Sequence, residues 1–159
     1  MIESTCELLR TERIDETGRL DEEYFKEGFP LTEDEKIRIY QKDVREIQLA
    51  KSAIRAGMET LIRKYQVSCE DIDQMYIAGG FGYKLDIEKA VQIGLLPEEC
   101  KEKITAVGNS SLQGAKKSLE TDDAKARWES LVRHSEEIEL ASSKEFQELY
   151  MEHMLFPEE

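Results

Sequence analysis

The sequence predicts an α/β fold in which helices flank a mixed sheet, and two observations lead to this prediction. From residue 36 onward, short apolar runs typical of strands alternate with longer segments whose apolar residues recur at helical spacing. Strands that alternate with helices favour some parallel pairing, because parallel strands need a crossover connection. The 159 residues can bury one core and contain no internal repeat or obvious linker, so we interpret residues 1–159 as a single domain.

The first forty residues predict only short elements. Apolar side chains at helical spacing predict a helix over residues 1–10. Residues 21–29 predict a second, shorter helix that ends at Gly28. Isoleucines that alternate with basic residues over 36–40 predict a short strand.

The clearest element is a long amphipathic helix over residues 41–65. Asp43 in its first turn and two basic residues in its last turn suit the helix dipole. Lys51 intrudes on the apolar stripe, which is unusual for a helix with a purely structural role. The stripe consists of Val44, Ile47, Ala50, Ile54, Met58, Leu61 and Ile62.

The second half of the chain continues the alternation of strands and helices. Apolar runs predict strands over residues 75–78, 104–107 and 136–140. Helices are predicted from an Asp86 cap to Gly94, from an Asn109 or Ser110 cap to Leu119, over 122–135, and over 143–154.

The composition limits the classes of partner and compartment. The formal net charge is −13, which disfavours binding to nucleic acid and to anionic membranes because both repel an acidic surface. No apolar run reaches the roughly 20 residues needed to span a bilayer, and no signal peptide is visible. We therefore expect a cytoplasmic protein.

The cysteines and histidines predict no metal site. The three cysteines are widely spaced and form no paired ligand motif, so we expect three reduced thiols. The two histidines, His134 and His153, lack a second ligand at helical spacing, which favours surface histidines. The carboxylates are not paired by spacing, so no acid–base catalyst is assigned.

A glycine pair follows the predicted strand "MYIA" in the stretch "MYIAGGFG", residues 75–82. A dinucleotide fingerprint is absent because the last glycine of G-x-G-x-x-G is missing, and no P-loop lysine occurs. One interpretation is a tight turn with Phe81 in the core. The other is a place where a ligand approaches the backbone closely.

An apolar strand that ends in Gly-Gly resembles the adenosine motif of the actin-like ATPase fold shared by sugar kinases, Hsp70 chaperones and actin. The blocks "QKDVREIQLAKSAIRAGMETLI", "MYIAGGFG", "AVQIGLLP" and "AVGNSSLQGA" resemble more narrowly the C-terminal ATPase domain of the reductive activators of corrinoid proteins. The opening "MIESTCELLRTERIDETGRL" and the ending "EFQELYMEHMLFP" are also similar to that family. The resemblance implies part of an actin-like, ribonuclease H-like lobe on the adenosine side.

The resemblance also implies a nucleotide site. The backbone at Gly79 and Gly80 would pass close to the ribose and α-phosphate of ATP, with Phe81 as an apolar wall, and a positive φ is expected at Gly80. Polar side chains of the long helix would lie along adenine and ribose; these are Gln48, Lys51, Ser52 and Arg55. For Lys51 the alternative is a snorkelling side chain whose stem covers the core. Gly108, Asn109 and Gly114 are interpreted as structural, as a turn, a helix cap and a helix crossing.

The family's members are much longer than this chain. They carry an N-terminal [2Fe–2S] domain and an earlier lobe with the phosphate loops and a magnesium-linked aspartate, neither of which is present here. The sequence begins at a methionine that sits mid-domain in the family pattern, so we expect an excised piece of a longer protein or a shortened gene product. ATP with Mg²⁺ would be the cofactor of the intact protein.

Three functions remain open. The first is the nucleotide-binding lobe of an activator that returns the Co(II) corrinoid of a methyltransferase system to Co(I), with ATP hydrolysis driving a domain movement. The second is an inactive binding or assembly module that contacts a corrinoid protein or, as a homodimer, itself. The third is a piece of a sugar-kinase-like protein, for which the sequence supplies no sugar-binding loop.

Overall fold

The computed structural model describes residues 1–80 and 82–157, where six α-helices accompany two small sheets. The helices are α1 (Ile2–Arg10), α2 (Gln41–Lys64), α3 (Ile87–Gln92), α4 (Ser110–Glu120), α5 (Ala124–Arg133) and α6 (Lys144–Glu152). The strands are β1 (Phe29–Pro30), β2 (Arg38–Ile39), β3 (Met75–Ala78) and β4 (Ile104–Gly108). Three 3₁₀ turns join them, at Cys69–Asp71, Gly82–Lys84 and Glu98–Lys103. The α/β class is confirmed, and strands alternate with helices from β2 to α4.

The two sheets differ in direction. Strands β1 and β2 pair antiparallel. Strands β3 and β4 pair parallel, with Met75 opposite Ile104. Their register shifts after Ile77, so that Ala78 lies opposite Gly108. The expected parallel pairing is therefore present, and the carboxyl ends of β3 and β4 meet at one edge of the sheet.

The apolar core lies in one half of the molecule. It forms where α1, α3 and the amino-terminal part of α2 meet the turn after α3 and the end of the chain. Its members are Cys6, Leu8, Ile14, Leu20, Ile39, Val44, Ala90, Val91, Ile93, Leu95, Leu96, Ile104 and Phe156. No residue of α4 or α5 is buried. None of the helices in the described part of the chain combines the length and apolar character needed to cross a membrane.

Two predicted elements are wrong. Residues 22–27 form successive turns rather than a helix, with the Tyr24 amide donating to the Asp21 carbonyl and the Gly28 amide donating to the Tyr24 carbonyl. Residues 136–140 form no strand, because no described strand lies beside them to pair with their backbone groups.

The buried face of α2 also differs from the predicted apolar stripe. Ile54 and Leu61 of that stripe are 49% and 43% exposed. The face turned inward instead carries four polar residues beside Val44 and Ala56: Gln48, Lys51, Ser52 and Thr60. The spacing of apolar residues identifies the most apolar side of a helix. In the structure the buried side of α2 is the one that packs against α6.

Two of the three cysteines are joined in a disulfide bond, which corrects the expectation of three reduced thiols. Cys69 pairs with Cys100 across a Cα–Cα distance of 5.4 Å. The third, Cys6, is a buried free thiol that donates to Gln92 Oε1 at 2.8 Å. The spacing along the sequence gave no sign of the pairing because folding brings together residues that lie 31 positions apart.

Candidate functional site

The carboxyl ends of β3 and β4 form a surface that we call the glycine edge, consisting of Gly79, Gly80, Gly108 and Asn109. The amide of Gly79 donates to the carbonyl of Gly108 at 2.7 Å. Asn109 caps α4, since its Oδ1 accepts from the amide of Leu112 at 3.0 Å. Ligands of parallel sheets bind outside the carboxyl ends of the strands. The glycine edge is therefore the place in this fold where a ligand is expected.

The two glycines of the pair have different reasons to be glycine. Gly79 has φ 99°, a conformation that side chains disfavour. The expectation of a positive φ at Gly80 is wrong, because Gly80 lies outside that region. A Cβ at either residue would have no described neighbour within 4 Å. Neither strain nor packing within the described chain accounts for Gly80, whereas a ligand close to the backbone would. Phe81 lies outside the described residues.

The polar residues of α2 meet a different partner, the segment 150–157. We call this set of contacts the C-terminal clasp: Gln48, Lys51 and Ser52 with the carbonyls that they bind. Gln48 Nε2 donates to the carbonyls of Thr17 and Met154 at 2.9 and 2.8 Å. Ser52 Oγ donates to the carbonyl of Tyr150. Tyr150 lies in the last turn of α6, whose carbonyls have no partner within the helix.

Lys51 is the centre of the clasp. Lys51 is 2% exposed, and its Nζ donates to the carbonyls of His153 and Leu155, both at 2.6 Å. The ammonium also lies 5.0 Å from the ring centroid of Phe156. Burial, with a smaller contribution from the Arg55 charge, lowers the pKa of Lys51 to about 8. The side chain does not snorkel to water; it ends on backbone acceptors inside the protein.

Arg55 is the predicted α2 residue that faces open space. Its side chain is half-buried and lies 3.9 Å from Glu59 and 3.8 Å from Glu99. It lines one cavity of about 800 Å³ beside α1 and α3, and another of about 650 Å³ beside Cys69. The residues that line these cavities do not include Gly79 or Gly80. The structure therefore gathers Gln48, Lys51 and Ser52 in the clasp and leaves the glycine pair at a separate edge.

Sequence reasoning missed both the clasp and the disulfide. The sequence did contain a signal for the clasp, because Gln48, Lys51 and Ser52 lie close together near an apolar stripe. Such polar residues indicate either buried hydrogen-bond acceptors or a ligand. The acceptors are backbone carbonyls, which every residue carries, so the sequence does not show which of them the side chains bind. Within residues 1–80 and 82–157, no group of three or more His, Cys, Asp or Glu side chains is arranged to hold a metal ion.

Comparisons with known proteins agree with the family that the sequence suggested. Over 120 residues the chain is 37% identical to the corrinoid activation enzyme RamQ from Eubacterium limosum. Over a further alignment of 120 residues it is 32% identical to the [Co(II) methylated amine-specific corrinoid protein] reductase from Methanosarcina barkeri. These alignments cover 76% and 72% of this chain but 20% and 22% of the relatives. The chain thus spans about a fifth of the length of the curated relatives it matches.

The fold matches as well. A solved reductive activator for a corrinoid, iron–sulfur protein superposes with a TM-score of 0.85 and 34% sequence identity, covering 98% of this chain and 27% of that one. The family model described as the C-terminal domain of RACo, the ASKHA domain, matches residues 1–159. The chain therefore belongs to the family of RACo C-terminal ASKHA domains.

Proposed function

We propose that this chain forms the adenosine-facing part of an ATP-dependent reductive activator, which returns the Co(II) corrinoid of a methyltransferase system to Co(I). The names of its relatives support a role in corrinoid activation. The observation that carries the nucleotide part is the glycine edge, where Gly80 has neither a strained φ nor a neighbour that requires glycine. The partner that this function requires is a corrinoid protein.

The groups of the glycine edge suit a phosphate-bearing ligand. The shifted register places the carbonyl of Gly108 under the amide of Gly79, which leaves Gly80 free of the ladder. Helix α4 begins two residues after Gly108, and the dipole at its amino end favours negative charge. In this proposal the backbone at Gly80 approaches the ribose and α-phosphate, and Asn109 keeps the end of α4 oriented.

The remaining chemistry is proposed to come from beyond these residues. When bound, ATP with Mg²⁺ supplies the free energy for the domain movement that accompanies reduction of the corrinoid. A [2Fe–2S] cluster needs four protein ligands, usually cysteine thiolates. The cysteines of this chain do not fit one, since Cys69 and Cys100 are joined and Cys6 is buried against Gln92. The cluster is therefore assigned to another domain of the activator.

One observation favours the second candidate function, a binding module without ATP turnover. Gln48, Lys51 and Ser52, which the resemblance assigned to the nucleotide, already have internal acceptors. A nucleotide contacting the glycine edge alone would be covered on one face. We expect weak affinity for the isolated chain, with a Kd on the order of 0.1–1 mM. We also expect no hydrolysis, because phosphoryl transfer needs positioned charge around the γ-phosphate.

The test uses Gly80→Val in the 159-residue chain. A Cβ at residue 80 meets no described atom within 4 Å, and the φ of Gly80 is not in the positive region, so a loss of binding would report on the ligand rather than on folding. Titration calorimetry with ATP, ADP and a non-hydrolysable analogue should show weak binding to the parent chain and none to Gly80→Val. Both proteins should melt at the same temperature.

Gly57→Val in α2 is the control, because it changes a glycine of ordinary φ away from the glycine edge. Equal nucleotide affinity in the parent and in Gly80→Val would contradict the proposed site. Absence of binding in both, and also in a longer protein that contains this domain, would favour the binding module. Phosphate release that follows the folded chain and disappears in Gly80→Val would show that these residues hold a complete site.

A further inference from the structure

The amino ends of β3 and β4 are joined by a disulfide, at the opposite end of the sheet from the glycine edge. Cys69 lies in the 3₁₀ turn that precedes β3, and Cys100 lies in the 3₁₀ turn that precedes β4. Their Cα atoms are 5.4 Å apart, within the usual range for a disulfide. The bond therefore links the two turns that lead into the parallel strands.

The same junction is held by hydrogen bonds that do not depend on the sulfur atoms. Lys103 Nζ donates to the carbonyls of Cys69 and Glu70 at 2.6 and 3.0 Å. Gln74 Nε2 donates to the carbonyl of Lys103 at 2.6 Å and to Thr105 Oγ1 at 2.7 Å. These four bonds bridge the same two turns and strand starts. Cleavage of the disulfide would therefore leave the two thiols facing each other, ready to reoxidise.

The two sulfur atoms differ in access. Cys100 is fully buried, whereas Cys69 is half-buried and lines the cavity of about 650 Å³ between α2 and the turn before β4. An external thiol would therefore reach the Cys69 sulfur first, and Cys100 would be the leaving thiol.

We propose that Cys69 and Cys100 form a reversible dithiol–disulfide couple, which an external thiol or disulfide reaches through this cavity. In the oxidising direction, the two protein thiols give two electrons and two protons to an external disulfide, which becomes two thiols as the Cys69–Cys100 bond forms. In the reducing direction, one external thiolate attacks Cys69 to give a mixed disulfide, and a second resolves it. This couple is independent of the proposed nucleotide role.

The oxidation state sets how firmly β3 and β4 are held at this end. A disulfide restricts the unfolded chain, and the restriction grows with the length of the loop that it closes. The partners lie 31 residues apart in sequence. We expect the oxidised chain to melt roughly 5–15 °C above the reduced chain.

The first test equilibrates the 159-residue chain in mixtures of reduced and oxidised dithiothreitol, followed by thiol trapping in denaturant and intact-mass measurement. We expect one trapped thiol under oxidising conditions and three under reducing conditions, with the melting temperature falling in step. Cys6→Ser should keep both transitions. Cys69→Ser should lose both and melt like the reduced parent at every mixture.

The second test examines access, using oxidised glutathione as the probe. Cys100→Ser should accumulate a mixed disulfide at Cys69, whereas Cys69→Ser should remain unmodified at Cys100 while folded. Preferential modification of Cys100 would contradict the entry route. Three results would contradict the proposed couple: three trapped thiols at every mixture, a disulfide that involves Cys6, or a melting temperature that is the same in the oxidised and reduced chain.

Discussion

The helix pairs α2–α6 and α4–α5 differ in what lies between them. Helices α2 and α6 meet through buried side chains, with Leu149 of α6 at 2% exposed and the C-terminal clasp at the end of the contact. Helices α4 and α5 bury none of their residues. Their contact centres on Trp128, whose Nε1 donates to Ser118 Oγ at 2.9 Å beside Gly114.

The α4–α5 pair also exposes several apolar side chains. Its exposed apolar side chains are Leu112, Leu119, Trp128, Leu131 and Val132. The parallel sheet that precedes this pair in the chain consists of two strands, β3 and β4. Parallel sheets are usually covered on both faces. Helical periodicity in the sequence predicts all four helices equally well. How much each helix pair contributes to stability depends instead on which residues cover its apolar side chains.

The largest expected difference comes from the same truncation in each pair. Leu149→Ala should lower the free energy of unfolding by about 2–5 kcal/mol, because it leaves a cavity in the α2–α6 contact. Leu131→Ala removes a side chain that is 59% exposed and should change stability by less than about 0.5 kcal/mol. Urea denaturation of both variants measures the difference. Equal losses would show that another surface covers α5 in solution.

A second pair of variants tests the clasp. Lys51→Met keeps the apolar stem but leaves the carbonyls of His153 and Leu155 without their donor, and should cost about 1–3 kcal/mol. Lys125→Met makes the same change on α5, at an exposed position, and should cost less than about 0.5 kcal/mol. Denaturation midpoints compare the two. An unchanged midpoint for Lys51→Met would mean that water replaces the ammonium at both carbonyls.

The glycine edge allows a comparison within the less buried region. Gly79→Ala should lower stability by about 1–2 kcal/mol, because alanine disfavours a φ of 99°. Gly80→Ala has ordinary φ and open space around it, so its effect should be under about 0.5 kcal/mol. Thermal melts of the two variants decide this. A larger loss for Gly80→Ala would contradict the assignment of the strained residue to Gly79.

A pH dependence that arises from Lys51 is expected as well. Its pKa is lowered to about 8 in the folded chain from 10.5. Between these values the unfolded chain binds more protons, so this residue makes the free energy of unfolding rise with pH. The stability lost in Lys51→Met should therefore grow between about pH 8 and pH 10.5. Denaturation under oxidising conditions across this range tests it, and a loss that stays constant would show that the carbonyls hold the ammonium at its ordinary pKa.

Much of the fold could be predicted because its signals are local. The long helix was predicted over residues 41–65 and spans Gln41–Lys64, and the caps at Asp86 and Asn109 accept the expected amides. The buried face of α2 could not be predicted, because its partners lie about 100 residues away along the chain. The strand expected at residues 136–140 failed for the same reason, since pairing depends on a neighbour.

The candidate site divides in the same way. The Gly79–Gly80 pair follows from a motif that can be read in eight residues, and in the structure it lies at the carboxyl end of β3 with open space around both glycines. Its contact with a nucleotide stays a prediction. Gln48, Lys51 and Ser52 were assigned by resemblance, and their contact with a nucleotide stays a prediction. The structure adds an internal role for all three, with carbonyl acceptors that the local pattern does not identify.

The C-terminal clasp has a consequence for the order of events during synthesis. Gln48 and Lys51 leave the ribosome more than 100 residues before Met154 and His153, the residues whose carbonyls they bind. At roughly 5–20 residues per second, that interval lasts about 5–20 s. Until it ends, α2 presents a hydrated lysine and glutamine on the face that will be buried. The polar side chains reduce the tendency of the nascent helix to associate with other chains. This half of the molecule can complete its packing only after residues 150–156 have been synthesised.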